Sequence, residues 1–308
     1  ADYRVAVIVL EKALPPPLDP TLQDDDFGQF IWAVPSQFAA RRGCSEEHLD
    51  LSLNLLKAVT QRFSAEFAIR PFLRAFPAQT YAFLERCALD ENYHVRRLAS
   101  EGIRPLLPWG LRIDLPPERV IAMLDILHVD STRFVTRSVA NALNDVSKSQ
   151  PELVLAALQR WKTDNRQRST ELDWMTRHSL RGLVKTDHAG ALQLLGYSTR
   201  PGFKITGVRC AASVQVGEKL DWAATLTSTA TQKLKVMLRV HFLKANGSHA
   251  AKVFALKDFS ARQGEALELG KRLPFKPMTT RALYPGQHHI EVVVNGVSRG
   301  KRSFDLLA

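Results

Sequence analysis

The fold of this chain is decided by three segments that align at a spacing of forty residues: HVRRLASEGI at 94–103, FVTRSVANAL at 134–143 and WMTRHSLRGL at 174–183. Each segment has an aromatic residue or histidine at its first position and an arginine at its fourth. A polar, a small and an aliphatic residue fill its last three positions in that order. A repeat of this size is typical of a helical solenoid, in which each helix pair buries its apolar face against its neighbours.

The repeated polar positions fall on one side of the predicted helices. On a helical projection Glu101 and His94 lie within about 60° of Arg97, whereas Ala99 and Gly102 lie on the opposite side. We therefore expect three parallel helices to present a wall of cationic and polar side chains, which favours a polyanion. An ordinary solvated face is the alternative interpretation. The predicted wall contains Arg97, Phe134, Arg137, Asn141, Arg177, His178 and Arg181.

The net charge of +11 is concentrated in the last third of the 308 residues. Residues 203–308 contain 17 Lys and Arg against 7 Asp and Glu, whereas the rest of the chain contains 25 against 24. This length predicts two domains, and one of them carries the positive field. Such a domain is expected to bind nucleic acid or an anionic membrane, with solubility alone as the alternative.

Cysteine content and hydropathy indicate the compartment. The three cysteines are far apart in sequence and form no metal-binding motif, which is typical of a reducing environment. No apolar run approaches the roughly 18 residues that a membrane span needs. We expect a soluble, cytoplasmic monomer without a membrane partner, associated with the nucleoid through DNA. The sequence begins inside a predicted helix, so we also expect native residues before it.

Helical periodicity and proline placement predict the elements of the first 198 residues. Helices are predicted at 1–14 and 45–62. Pro77, Pro117 and Pro151 each precede an apolar helical pattern and mark helix starts, since the first helical N–H needs no partner.

Other segments of this region carry individual predictions. Segment 65–73 resembles a shorter copy of the repeat, with Arg70 in the arginine column. The polar segment 162–173 is predicted to be a loop, and Trp109 to be a packing residue of a loop. The acidic run at 24–26 is interpreted as a solvated loop or a helix cap.

The pattern changes to alternation after residue 202, which predicts an all-β domain at 203–308. The dipeptides Asn246-Gly247 and Asn295-Gly296 predict hairpin turns. Seven strands in roughly 105 residues indicate an immunoglobulin-like sandwich. The strands are predicted near 203–209, 219–228, 233–244, 250–257, 265–272, 287–294 and 299–306. Its loops and edge contain the basic residues Lys271, Arg272, Lys276, Arg299, Lys301 and Arg302.

At this point the sequence resembles a known family. HVRRLASEG at 94–102, followed by RP at 104–105 and LPWG at 107–110, is similar to the hallmark stretch of the AlkC group of bacterial alkylpurine DNA glycosylases. The resemblance covers about residues 1–197, and the β-domain is similar to an extension that some members carry. Further matching pieces are DDFG at 25–28, QRF at 61–63, EFAIRPF at 66–72, RH at 177–178 with LR at 180–181, AL at 191–192 and LLG at 194–196.

The resemblance implies a fold and an activity. The expected fold is a HEAT-like α-solenoid at 1–198, which is the catalytic and DNA-binding domain, followed by the immunoglobulin-like domain. The implied activity is monofunctional hydrolysis of the N-glycosidic bond of cationic bases, 3-methyladenine and 3-methylcytosine, in double-stranded DNA without deep base flipping. A cationic base is already a good leaving group, so no general acid, cofactor or metal is expected.

Residue roles follow from the resemblance and the chemistry. Glu101 is the predicted carboxylate that stabilises an oxocarbenium-like sugar and orients water. By analogy with the related AlkD branch, Arg137 and Arg181 fall at matching concave positions. Asp173 and Trp174 are a predicted acid and stacking partner, with helix capping and packing as alternatives. The alternative for Glu101 is a structural role, as the partner of Arg97 four residues earlier in a simple ion pair on the same helix.

The tryptophans of the AlkD cleft have no counterparts at the same positions, so the aromatic contact stays open between Trp174, His178, Trp109 and Phe134. The arginines of the wall are expected to hold phosphates, and Lys301 and Arg302 are the DNA contacts predicted in the β-domain. A non-catalytic clamp on bent or damaged DNA and a HEAT adaptor for an acidic protein are the other functional hypotheses.

Overall fold

The computed structural model describes residues 2–22, 27–277 and 282–308. The acidic run at 24–26 lies outside these residues. The chain divides into two compact units, Ala1–Gly182 and Leu183–Ala308. The second unit therefore contains a short helical segment before its strands, and the domain limits 1–198 and 203–308 stay a prediction.

The described residues contain twelve α-helices, with short 3₁₀ turns at Phe30–Trp32 and Glu46–His48. The helices are α1 Tyr3–Lys12, α2 Ala33–Arg42, α3 Leu49–Thr60, α4 Arg70–Ala75, α5 Pro77–Cys87, α6 Tyr93–Gly102, α7 Pro117–Leu127, α8 Arg133–Val146, α9 Pro151–Asp164, α10 Ser169–Ser179, α11 Arg181–Lys185 and α12 Ala189–Leu194.

Helix starts follow the proline signals. Pro77, Pro117 and Pro151 are the first residues of α5, α7 and α9, as predicted. At the start of α6 the Asn92 side chain accepts a hydrogen bond from the backbone N–H of His94 at 2.9 Å. The three prolines and the Asn92 cap therefore mark the starts of α5, α7, α9 and α6.

The repeat places α6, α8 and α10 side by side, with α8 packing against both of the others. Their predicted apolar stripe is buried, including Val95 and Ala99 on α6 and Val135, Val139 and Ala142 on α8. Because equivalent helices are neighbours, equivalent sequence positions line up across the unit.

The predicted loop at 162–173 is wrong. Helix α9 continues to Asp164, where Asn165 ends it in a left-handed conformation (φ 49°), and α10 begins at Ser169. The polar composition of the segment suggested a solvated loop. In the structure the Glu171 carboxylate is instead buried and accepts hydrogen bonds from Arg133 and Thr136 of α8.

The second unit contains all seven predicted strands and a short additional one. The strands are β1 Phe203–Cys210, β2 Ser213–Gln215, β3 Lys219–Ser228, β4 Gln232–Leu243, β5 His249–Ala261, β6 Ala266–Pro274, β7 Gly286–Val294 and β8 Val297–Leu307. They form a three-stranded sheet in the order β1-β3-β6 and a five-stranded sheet in the order β2-β8-β7-β4-β5. The predicted immunoglobulin-like sandwich is confirmed.

The two predicted turns differ in geometry. Asn295 and Gly296 both have positive φ (47° and 85°), which joins β7 to β8 in the tight turn expected for an Asn-Gly pair. In the turn at Asn246-Gly247, positive φ occurs at Gly247 (76°) alone.

None of the helices among the described residues combines the length and apolar character that crossing a membrane requires.

Candidate functional site

Arg97 of α6 lies in an aromatic and acidic pocket rather than in open solvent. Its guanidinium carbon is 4.4 Å from the ring centroid of Phe134 and 5.6 Å from that of Phe27. Its Nη1 donates to the hydroxyl of Ser64 at 2.6 Å and lies 3.8 Å from the Glu66 carboxylate. The side chain is consequently only 8% exposed.

Phe134 was predicted to point away from the core, and this is wrong. The residue is 2% exposed, and its ring is covered by Arg97 and by the ring of Phe27, whose centroid lies 5.2 Å away. Buried His94 and Tyr93 also pack against it. The ring of Phe134 therefore lies beneath the guanidinium of Arg97 and packs against it.

Glu101 is buried and paired with arginines, whereas the helical projection placed it on the polar side of its helix that was expected to face a ligand. The residue is 5% exposed. Its Oε1 accepts from Arg104 Nη1 at 2.6 Å, its Oε2 accepts from Ser138 Oγ at 2.6 Å, and Arg97 Nη2 lies 3.8 Å from Oε2. Burial alone raises the pKa of Glu101, but the charges of Arg97 and Arg104 and the Ser138 hydroxyl outweigh it. The resulting pKa is below the usual range, so the carboxylate is ionised at neutral pH.

Arg104 joins Glu101 to a second buried carboxylate. Its Nε donates to Asp145 Oδ2 of α8 at 3.0 Å. Burial lowers the pKa of Arg104, but the carboxylates of Glu101 and Asp145 raise it above its ordinary value. Arg104 was not predicted as a site residue, although its position three residues after Glu101 in the hallmark stretch was an available signal. The Nζ of Lys148 also lies 3.9 Å from Asp145 Oδ1.

These groups form what we call the acid–arginine chain: Glu66, Arg97, Glu101, Arg104 and Asp145. Acids and arginines alternate along it, and it begins and ends with an acid. Lys148 lies 3.9 Å from Asp145, so the cluster pairs three carboxylates with three cations and has no net charge when all six groups are ionised.

A second cluster occupies the equivalent positions of α8 and α10, and we call it the amide cluster. The Oδ1 of Asn141 accepts from Arg181 Nη2 at 3.0 Å and from His178 Nε2 at 2.9 Å. Burial, followed by the charges of Arg181 and Arg137, lowers the pKa of His178 to about 4. His178 is therefore neutral at neutral pH, and its proton is on Nε2.

Trp174 belongs to the same region but has a partner that the sequence did not predict. Its ring stacks on His178 at a centroid distance of 4.8 Å and an interplanar angle of 11°. The guanidinium carbon of Arg133 lies 4.0 Å from its centroid, and Arg133 also forms two hydrogen bonds with Glu171. The predicted residues Asp173 and Arg177 are exposed on α10.

Arg70 does not belong to the wall. It is fully buried and donates to the backbone carbonyls of Gly102 at 2.7 Å, Arg104 at 3.0 Å and Leu111. Burial, reinforced by Arg112 and Arg104, lowers its pKa to about 10. Arg70 therefore holds the backbone of the segment that follows α6 in place.

Trp109 of that connection is not a packing residue, which corrects the prediction. Its side chain is 97% exposed, and its backbone is left-handed with φ 58°.

The immunoglobulin-like unit has a basic groove on its β1-β3-β6 sheet. The groove has a volume of about 810 Å³ and includes Trp222 and Asp221, whose carboxylate accepts from Arg272 Nε at 2.8 Å. Lys301 and Arg302 are exposed on β8, and Arg302 reaches the groove. The basic residues of the groove are Arg209, Lys271, Arg272 and Arg302. Within the described residues no group of three or more His, Cys, Asp or Glu side chains is arranged to hold a metal ion.

The protein is a helical-repeat protein followed by a basic immunoglobulin-like unit. Its repeated helices carry two polar groups of side chains, the acid–arginine chain and the amide cluster, in which Glu101 and Asn141 occupy the same position of successive repeats. A family model of the C-terminal Ig-like domain of the uncharacterised protein YhaZ matches residues 204–308. YhaZ of Bacillus subtilis (strain 168) is 34% identical over 263 residues, which cover 84% of this chain and 72% of that protein.

A solved structure extends the likeness to the whole chain. Alkylpurine DNA glycosylase AlkC of Pseudomonas fluorescens, bound to DNA that contains an abasic site analog, matches with a TM-score of 0.89 at 37% identity. The match covers 100% of this chain and 83% of that one. The chain belongs to the AlkC family, and the resemblance noted in its sequence is confirmed.

Proposed function

We propose that this protein is a monofunctional DNA glycosylase that hydrolyses the N-glycosidic bond of cationic alkylated bases, 3-methyladenine and 3-methylcytosine, in double-stranded DNA. The proposal includes that the base is not turned into a deep pocket. The likeness to AlkC over the full chain supports the reaction class.

The observation that carries the proposal is the Glu101 carboxylate at the centre of the acid–arginine chain, held 2.6 Å from donors of both Arg104 and Ser138. Glu101 stays ionised although it is buried, because Arg97, Arg104 and Ser138 favour its charged form. A positive charge that develops next to this carboxylate is stabilised by it.

The chemistry requires such stabilisation. Departure of a cationic base leaves positive charge on the deoxyribose, and a water molecule then attacks the anomeric carbon. A carboxylate held in place stabilises the sugar and orients the water without giving up a proton to the base. We assign this role to Glu101, with Asp145 and Glu66 holding the two arginines that orient it.

Phosphate contacts are assigned to cations outside that chain. Arg137, Arg177 and Arg181 lie on α8, α10 and α11 at exposed or half-buried positions. Lys301 and Arg302 would add contacts from the β-domain. Such contacts fix the position of the duplex without reading its sequence.

A non-catalytic clamp on damaged DNA is the second candidate, and one observation favours it. Both carboxylate oxygens of Glu101 already accept hydrogen bonds, from Arg104 and Ser138. A carboxylate with a purely structural role would have the same surroundings.

The test is incubation with randomly methylated DNA, followed by identification of the released bases. Wild-type protein should release 3-methyladenine and 3-methylcytosine. Glu101→Gln should lose release by about a hundredfold or more while keeping DNA affinity. Glu91→Gln, which changes an exposed glutamate just before α6, is the matched control. Binding without release by wild-type protein identifies a clamp, and full activity of Glu101→Gln rejects the role of that carboxylate.

A further inference from the structure

Phe27 places a partly exposed aromatic ring against the acid–arginine chain. Its ring packs at a steep angle of 68° against the ring of Phe134, with the two centroids 5.2 Å apart, and the guanidinium carbon of Arg97 lies 5.6 Å from its centroid. Phe134, His94 and Tyr93 are buried in the same stack, whereas Phe27 is 47% exposed. Phe27 therefore offers an open aromatic surface directly beside Arg97.

The backbone next to Phe27 is fixed by an unusually close contact. Gly28 pairs with Phe63 in an isolated β-bridge and has φ 72°. A Cβ atom at position 28 would lie 1.8 Å from the carbonyl oxygen of Arg62, so only glycine fits. Arg62 is itself held, because its guanidinium donates to the carbonyls of Pro15 and Ala58, both at 2.8 Å. The ring of Phe27 is thus positioned by the fold.

The charges around Phe27 allow a second cation to approach. Arg97 lies 3.8 Å from the carboxylates of both Glu66 and Glu101, so its charge is countered on two sides. The face of a phenyl ring carries negative electrostatic potential and attracts cations. A positively charged base on the exposed side of Phe27 would gain this attraction, and a neutral base of similar shape would not.

We propose that Phe27 is the stacking surface for the methylated base and favours its cationic form over the neutral base. This inference rests on the proposed function, because it names the residue that contacts the substrate of the same site. It makes Phe27 a specificity-determining residue, while Gly28 positions it.

Binding to an uncleavable base tests the inference separately from catalysis. The probes are two duplexes, one containing 2′-fluoro-3-methylcytosine, a cationic base whose glycosidic bond the fluorine protects, and the other containing 2′-fluorocytosine in a mismatch, its neutral and likewise unpaired counterpart. Affinities are measured for the full-length wild type, Phe27→Leu, Phe27→Tyr and Phe30→Leu. Phe30 is the matched control because it is also exposed but packs against Phe63 instead of Arg97.

Wild-type protein should bind the cationic duplex about tenfold more tightly than the neutral one. Phe27→Leu should abolish this preference and leave affinity for the neutral duplex within twofold, while Phe27→Tyr and Phe30→Leu should keep the preference. Equal weakening of both duplexes by Phe27→Leu, or an unchanged preference, overturns the inference. Failure of the glycosylase proposal is seen independently, as absence of base release from methylated DNA.

Discussion

Ser138 of α8 donates a hydrogen bond to the Glu101 carboxylate of α6 at 2.6 Å, across 37 residues of sequence. The bond links equivalent helices of successive repeats at the centre of the acid–arginine chain. It also contributes to keeping Glu101 ionised, together with the charges of Arg97 and Arg104.

Replacing Ser138 by alanine should move the acid limb of the pH–activity profile. Without this donor the pKa of Glu101 rises, so the carboxylate is protonated, and base release is lost, at a higher pH than in the wild type. Stability should fall by about 1 kcal/mol. The measurement is the single-turnover rate of 3-methyladenine release between pH 3 and pH 8. Ser149→Ala, an exposed serine just past α8, should leave the limb in place.

Acid should weaken the fold partly through Glu101. Its folded-state pKa is lower than the value of about 4.3 in an unfolded chain, so its ionised form stabilises the folded state at neutral pH. That contribution is lost as the pH falls from about 4.3 through the folded-state pKa. Thermal melts should therefore show a destabilisation by Glu101→Gln at pH 7 that shrinks at pH 3. A constant difference over this range would contradict the assignment.

Substitution of Arg70 and of Trp109 should change the free energy of unfolding by very different amounts. Arg70→Met removes the donors of three backbone carbonyls and should lower the free energy of unfolding by about 3 kcal/mol. Trp109→Ala removes an exposed side chain and should change it by less than about 0.5 kcal/mol. Urea denaturation followed by circular dichroism measures both. A large loss with Trp109→Ala would mean that its ring packs in solution.

Salt dependence should identify the phosphate contacts. Arg137→Gln and Arg177→Gln should each weaken binding to any duplex and reduce the slope of log affinity against log salt by about one. Arg86→Gln, which changes an exposed arginine of α5, should leave the slope unchanged. Fluorescence anisotropy between 50 and 300 mM salt is the measurement. Unchanged slopes for the two wall variants would remove them from the interface.

Local signals predicted much of the fold. Proline at helix starts located α5, α7 and α9, and the period of the apolar positions identified the buried stripe of α6 and α8. Alternation located seven strands of the sandwich. Because these features depend on residues that are close in sequence and on the burial of apolar side chains, they can be predicted from the sequence alone.

Partners distant in sequence were not predictable in this way. The register of the repeats predicted that Glu101, Asn141 and Arg181 occupy equivalent positions. It could not predict that Arg104 donates to Asp145, which lies 41 residues later in the sequence. The burial of Arg97 depends on Phe27, which belongs to a different part of the chain. Charged side chains were assigned to solvent by type, whereas long-range pairing brought several of them inside.

The arginine column changes from buried Arg97 through half-buried Arg137 to exposed Arg177. Three equivalent positions of the repeat therefore differ in their accessibility to reagents in the bulk phase. In mass-spectrometric footprinting with an arginine-selective dicarbonyl, we expect adducts to form first at Arg177, later at Arg137 and last at Arg97. The order of labelling would report how deeply each repeat encloses its arginine.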